Sequence, residues 1–306
     1  MKKTTLVYGI LGILIIGLAS YFLFKNDTAT PLVSTKPTNT ATTTATSTKP
    51  TTQTTPTIDK TKTVIGLSVG KRDITAYHYG TGENEILFVG GIHGGYEWNT
   101  VLLAYELMDY LTSNPTTIPS NVKVTIIPVL NPDGLNSVTG SAGRFSPSDV
   151  STSQSTLISG RFNANSVDLS RNFDCNWKSK GVWQTKTVSG GSKVFSEPES
   201  IAIKNYVESH KLSASVVWYS AAGGVYASSC NDRVSPETMK ITNAYAKASG
   251  YPAFDSFDFY ETAGDMVNWL ASENIPAISV LLTNHKDTEW TKNLAGVKAL
   301  INYYAK

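Results

Sequence analysis

Apolar positions along the chain fall into three regimes. The first is a nearly unbroken apolar run from Leu6 to Phe24, preceded by Lys2 and Lys3 and followed by Lys25. About 20 apolar residues suffice for a helix to cross a bilayer. The run lacks the small-residue site that ends a cleaved leader, so residues 1–25 are expected to form one membrane anchor. The two leading lysines favour a cytoplasmic N-terminus and an extracytoplasmic folded part. The second regime, 26–63, is dominated by Thr with interspersed Pro, Ala, Ser and Lys. Such a segment cannot bury enough apolar surface to offset its ordering entropy, which predicts a disordered linker. The third regime, 64–306, has the periodicities of a folded domain.

Within that domain, short apolar runs alternate with helical patterns. Glu85–Gly90, Val122–Leu130, Ser215–Tyr219 and Ala277–Leu282 read as buried strands, the first ending in glycines just before His93. Asn99–Leu111, Pro236–Ser249, Gly264–Ser272 and Glu289–Tyr304 carry apolar residues at helical spacing. Ser196-Glu197-Pro198-Glu199 fits a capping box opening a helix to about His210. Asn131-Pro132-Asp133-Gly134 has turn chemistry. The polar stretch 135–166 reads as an irregular excursion. Alternating strands and helices predict an α/β fold: a mixed, mostly parallel, doubly wound sheet flanked by helices. In such sheets ligands bind at the carboxyl ends of the strands, which is where His93, Asn131 and Tyr219 fall.

Composition narrows the function classes. A formal net charge of +2 gives no electrostatic footprint for nucleic acid. The two cysteines, Cys175 and Cys230, suit a structural disulfide in an oxidising compartment better than metal ligation.

The candidate chemistry begins at His93 and Glu97. A loop imidazole and a carboxylate on the first helical turn can reach one zinc ion, although each taken alone is equally an ordinary polar residue near a helix start. The fragments GGIHGGYEWN, NPDG, VDLSRNF, FSEPE and YETAGDMVNW, in this order, change the weighing. Together they resemble the zinc carboxypeptidase family (carboxypeptidase A-like metallopeptidases), with the nearest likeness to bacterial members that trim cell-wall peptides. The resemblance implies that His93 and Glu97 are zinc ligands and that Asp168 orients the ligand histidine. It further implies that Arg171, with Ser170, grips a substrate carboxylate. Arg161, or in competition Arg144, would stabilise an oxyanion. Tyr260 would fold over substrate on a loop freed by Gly264, and Val267–Trp269 would line the specificity pocket.

Three departures accompany the resemblance. Three residues separate His93 from Glu97, where the family has two, so Glu97 reaches the metal only if the loop absorbs one. The third ligand, a histidine after the strand Ser215–Tyr219, falls on Tyr219 or Ser220. The family's general base falls on Leu281 or Leu282, neither of which can accept a proton. His210, Glu261, Asp265, His285 and Glu289 lie near enough in sequence to be weighed as replacements, and Glu261, beside the mobile tyrosine, is the first candidate base. Two readings follow. One is a membrane-anchored, extracytoplasmic zinc metallocarboxypeptidase-like hydrolase acting on peptides such as peptidoglycan stem peptides. The other is a catalytically inactive module on the same scaffold that binds peptide C-termini, with zinc weak or absent.

Overall fold

The computed structural model describes residues 61–231 and 233–306. The anchor expected at 1–25 and the linker up to residue 60 lie outside them. Among the described residues no helix is long and apolar enough to cross a membrane.

The elements in chain order are β1 (Lys62–Leu67), β2 (Asp73–Tyr79), β3 (Asn84–Val89), α1 (Trp98–Ser113), β4 (Val122–Ile127), α2 (Pro132–Thr139) and α3 (Gln154–Ser159). They continue with β5 (Lys180–Trp183), β6 (Lys186–Ser189), α4 (Pro198–Ser209), β7 (Leu212–Ser220), β8 (Gly224–Ala227) and α5 (Pro236–Ser249). The chain closes with β9 (Ala253–Phe254), α6 (Met266–Ser272), β10 (Ala277–Leu282) and α7 (Trp290–Tyr304). An eight-stranded sheet runs β1-β2-β4-β3-β7-β10-β8-β9, and β5-β6 is a separate hairpin. The centre, β4-β3-β7-β10, is parallel, while β1, β2 and β8 join antiparallel. The fold is thus mixed α/β with a largely parallel sheet flanked by helices, as the alternating pattern predicts.

Side chains along each central strand alternate between two apolar layers. Ile86 and Phe88 pack with α1, α5 and α7, whereas Leu87 and Val89 pack with α4 and α6. The alternation also separates Trp218 from Tyr219 and Leu282 from Leu281, with Tyr219 and Leu281 in the α4/α6 layer. Tyr219 and Leu281 are direct neighbours in the β7–β10 register. Both therefore face the same side of the sheet at its carboxyl edge.

Several local expectations are corrected. Asn131-Pro132-Asp133-Gly134 is the start of a helix rather than a free turn: Asn131 caps α2 by accepting from the Gly134 N–H, and Pro132 takes the first position, where no amide hydrogen is needed. The capping box at Ser196–Glu199 does not form, since Glu197 is the cap residue without a side-chain cap bond and Glu199 instead accepts from the Val69 N–H. The stretch 135–166 contains most of α2 and all of α3. β1 begins at Lys62, inside the segment read as linker, because β2 supplies a pairing partner. Strands β1, β2, β5, β6, β8 and β9 were not legible as apolar runs; β1 and β9 are largely exposed, and an edge strand needs little apolar surface.

Candidate functional site

The site lies beyond the carboxyl ends of β3, β7 and β10. After β3 the chain turns sharply through Gly94, which has φ +45° and whose missing Cβ would meet the Gly160 carbonyl oxygen at 2.7 Å. The Tyr96 N–H donates to the His93 carbonyl. This turn absorbs the extra residue between His93 and Glu97 and brings His93 Nδ1 within 2.9 Å of Glu97 Oε1. Both side chains are buried.

Arg161 enters from the segment after α3 and is 1% exposed. Its Nε donates to Asp168 Oδ2 at 2.8 Å, its Nη1 donates to His93 Nδ1 at 3.1 Å, and Nη1 lies 3.9 Å from Glu97 Oε1. The guanidinium stacks over the Trp183 ring at 4.6 Å. Burial alone would lower its pKa, but Asp168 and Glu97 outweigh that and raise it. Burial likewise would raise the Asp168 carboxyl, yet Arg161, His93 and Arg171 hold it well below the usual carboxylate range. Asp168 Oδ1 also accepts from the Ser170 amide and hydroxyl. With its hydrogen on Asp168, Ser170 Oγ accepts from His93 Nε2 at 2.8 Å and from Arg171 Nη1 at 2.9 Å.

Arg171 is 2% exposed and forms one wall of the cavity. Its Nε and Nη2 donate to the Val182 carbonyl, and its Nη1 donates to the Ser170 carbonyl and hydroxyl. Of five guanidinium hydrogens one, on Nη2, is left. All these partners are uncharged, and among the described residues Arg171 forms no ion pair. Gly181 and Gly264 close on it: a Cβ on Gly181 would meet Arg171 Cδ at 2.9 Å, and one on Gly264, at φ +76°, would meet the Arg171 carbonyl oxygen at 2.4 Å. Tyr260 faces Arg171 across 5.8 Å, with burial raising its phenol pKa. The loop carrying Tyr260 is pinned at Gly264, whose N–H donates to the Cys175 carbonyl and whose carbonyl accepts from the Phe173 N–H. Cys175 is disulfide-bonded to Cys230.

The inner cavity, about 110 Å³, is lined by His93, Glu97, Arg161, Ser170, Arg171, Tyr219, Tyr260, Asp265, Val267 and Leu281 among others. Asp168 lies behind this wall, fully buried. Glu261 is not brought to the cavity; its side chain is 51% exposed and pairs with Lys178 at 2.5 Å. Arg144 is also remote, paired with Asp109 at the surface. Glu289 is occupied by the Tyr251 hydroxyl and the Thr283 N–H, and His210 packs on Tyr206. Asp265 does face the cavity, accepting from the Val267 N–H and the Tyr219 hydroxyl; burial raises its pKa against the pull of Arg171. Residues 93, 97, 161, 170, 171, 260 and 267 thus converge, and 261 stands apart.

Two lining positions lack chemistry. Leu281, not Leu282, faces the cavity, and Leu282 is fully buried in the opposite layer. Tyr219 stands beside His93, ring centroids 5.4 Å apart, with its hydroxyl 3.3 Å from Asp265 Oδ2. Burial raises its pKa well above the usual phenol value, so it offers no anionic oxygen. The converging His93 and Glu97 are only two donors, and a protonated phenol is not a normal third. The Arg161 guanidinium already sits against both. Among the described residues no group of three or more His, Cys, Asp or Glu could hold a metal ion. The residues present do not fit a catalytic zinc.

Sequence reasoning missed an outer groove continuous with the cavity. Tyr96, Trp183, Phe257, Phe259 and His285 line it together with Glu97, Arg161, Tyr260 and Leu281. Tyr96 packs on Trp183 and His285, and burial lowers the His285 pKa. In the sequence Trp183 is an isolated aromatic, because β5 and β6 around it carry no apolar run.

Comparison with known proteins identifies the family and the fold that carry this site. The zinc carboxypeptidase family model matches residues 48–294, and the chain belongs to that family. Among solved structures it is similar to murein-tripeptide amidase MpaA from Escherichia coli O157, with 19% identity, a TM-score of 0.57, and coverage of 82% of this chain and 94% of that one. It is also similar to carboxypeptidase A from Helicoverpa armigera, with 17% identity, a TM-score of 0.63 and coverage of 80% and 68%. Bovine thrombin-activatable fibrinolysis inhibitor, in complex with tick carboxypeptidase inhibitor, gives 18% identity, a TM-score of 0.61 and coverage of 80% and 88%. At these identities the likeness is one of fold. No curated protein matches the chain.

Proposed function

We propose that this member of the zinc carboxypeptidase family binds the carboxyl-terminal end of peptides without hydrolysing them. The observation that carries the reading is Arg171, a buried cation at the cavity wall whose hydrogen-bond partners are all neutral. Arg171 makes no direct ion pair among the described residues; the carboxyl groups of Asp168 and Asp265 act on it only at longer range, so a ligand carboxylate in the cavity could take its one free Nη2 hydrogen in a charge-assisted bond. Tyr219 and Leu281 stand where hydrolysis would need a metal donor and a base, and Glu261 is turned to solvent. General-base catalysis alone is worth about 10²–10⁴-fold.

The murein-tripeptide amidase among the similar structures makes bacterial cell-wall peptides the first ligands to try. The apolar run at 6–24 and the Cys175–Cys230 disulfide support a membrane-anchored module in an oxidising, extracytoplasmic compartment.

The test uses the full chain and N-acetylated peptides with either a free or an amidated C-terminus. Free-carboxylate peptides should bind at least about tenfold tighter, as expected for a charge-assisted bond. That preference should vanish in Arg171→Met, no terminal residue should be released, and the purified protein should carry well under one equivalent of zinc. Release of the terminal residue that a chelator abolishes would replace this reading with the hydrolase.

A further inference from the structure

Five buried side-chain polar atoms lack a hydrogen-bond partner among the described residues: Glu97 Oε2, Arg161 Nη2, His285 Nδ1, Ser215 Oγ and Tyr226 OH. Buried polar groups are nearly always partnered, so a cluster of exceptions is informative. Glu97, Arg161 and His285 line the same outer groove. Glu97 is 2% exposed and Arg161 1%, so bulk water does not satisfy these atoms freely. One is a carboxylate oxygen and one a guanidinium N–H, an acceptor and a donor placed together.

The source of the orphans is the way Arg161 is held. Its Nε is spent on Asp168 and its Nη1 on His93, which leaves Nη2 without a partner on a residue that lines the groove. Glu97 Oε1 lies 2.9 Å from His93 Nδ1, and Glu97 Oε2 has no partner. A divalent ion would claim both Glu97 and His93, but the guanidinium lies against them and the third donor is the Tyr219 phenol. Glu97 is thereby released from holding a cation.

From this we infer that Glu97, Arg161 and His285 form a metal-independent subsite that reads the peptide groups of a bound ligand, Glu97 Oε2 accepting an amide hydrogen and Arg161 Nη2 donating to a carbonyl oxygen. His285 Nδ1 supplies a third polar contact at the outer end. The inference rests on the proposed binding of peptide carboxyl termini. The groove shares Glu97, Arg161, Tyr260 and Leu281 with the inner cavity, so a ligand whose last residue fills the cavity has a path for its preceding peptide groups past these residues.

The experiment measures binding of the full chain to N-acetylated tripeptides ending in Ala, Leu, Phe or Lys, and to their depsipeptide partners in which the final amide N–H is replaced by an ester oxygen. Loss of a hydrogen bond to a buried carboxylate should weaken binding of the ester by about tenfold or more. The amide-over-ester ratio should collapse in Glu97→Ala, be partly kept in Glu97→Gln, and change by less than about twofold on adding zinc or a chelator. Equal binding of amide and ester to the wild-type protein overturns the subsite while leaving carboxyl-terminal binding intact. A ratio that survives in Glu97→Ala, or that requires zinc, overturns it as well. If no member of the panel binds, the proposed function and the subsite fall together. The wild-type comparison needs no variant and stands even if a substitution at Glu97 impairs folding.

Discussion

Arg161 is the residue on which the site turns. It is buried, it lies between Asp168 and His93, and its flat face rests on Trp183. Arg161→Met would keep much of the volume but take from ionised Asp168 its nearest cation, a loss of about 3–5 kcal/mol by analogy with other broken buried pairs, readable as a drop in urea midpoint. Arg161→Lys should recover little, because an ammonium cannot serve Asp168 and His93 from one planar fork. Leu281 makes the complementary point. A leucine that is 7% exposed in the cavity wall contributes packing only, and Leu281→Glu should lower stability without producing turnover, checked by melting and by assay of released terminal residue.

At the scale of elements, the loop from Phe257 to Asp265 is held by Gly264. Its φ is +76°, and a Cβ there would stand 2.4 Å from the Arg171 carbonyl oxygen, which leaves no room for a side chain. Gly264→Ala should cost about 1–3 kcal/mol and lower ligand affinity through displacement of Tyr260, seen in melting and titration together. Glu85 at the start of β3 ties three elements, accepting from Thr125 and Lys123 of β4 and from Tyr206 of α4. Burial would push its carboxyl up, but these donors outweigh that and hold it low. A depressed folded-state pKa means the stabilisation is present above the ordinary value and is lost as pH falls through the folded value. Stability measured below about pH 4.5 should fall less steeply in Glu85→Gln. The central strands were legible because their apolar runs are buried on both faces. Which of Leu281 and Leu282 meets the cavity was not, since a strand's absolute facing depends on its register with β7, a long-range contact.

For the molecule as a whole, the motif-bearing residues His93, Arg161, Arg171 and Tyr260 were readable one by one, and the sheet brings them to one edge. The aromatic groove was not readable, because Tyr96, Trp183, Phe257 and His285 come from segments with no shared pattern and meet only through folding. The Cys175–Cys230 bridge, the arrangement favoured for two cysteines in one domain, closes 55 residues of chain. Replacing both with Ala should remove about 2–5 kcal/mol, measured under non-reducing conditions. A further consequence follows from the guanidinium among Glu97, His93 and Asp168. A bound ion can be diluted, stripped or outcompeted, but this charge is fastened to the backbone and its local concentration never changes. On the proposed metal-independent reading, whatever occupies the cleft meets the same fixed guanidinium in metal-starved surroundings as in metal-rich ones, and the site fails only when the fold does.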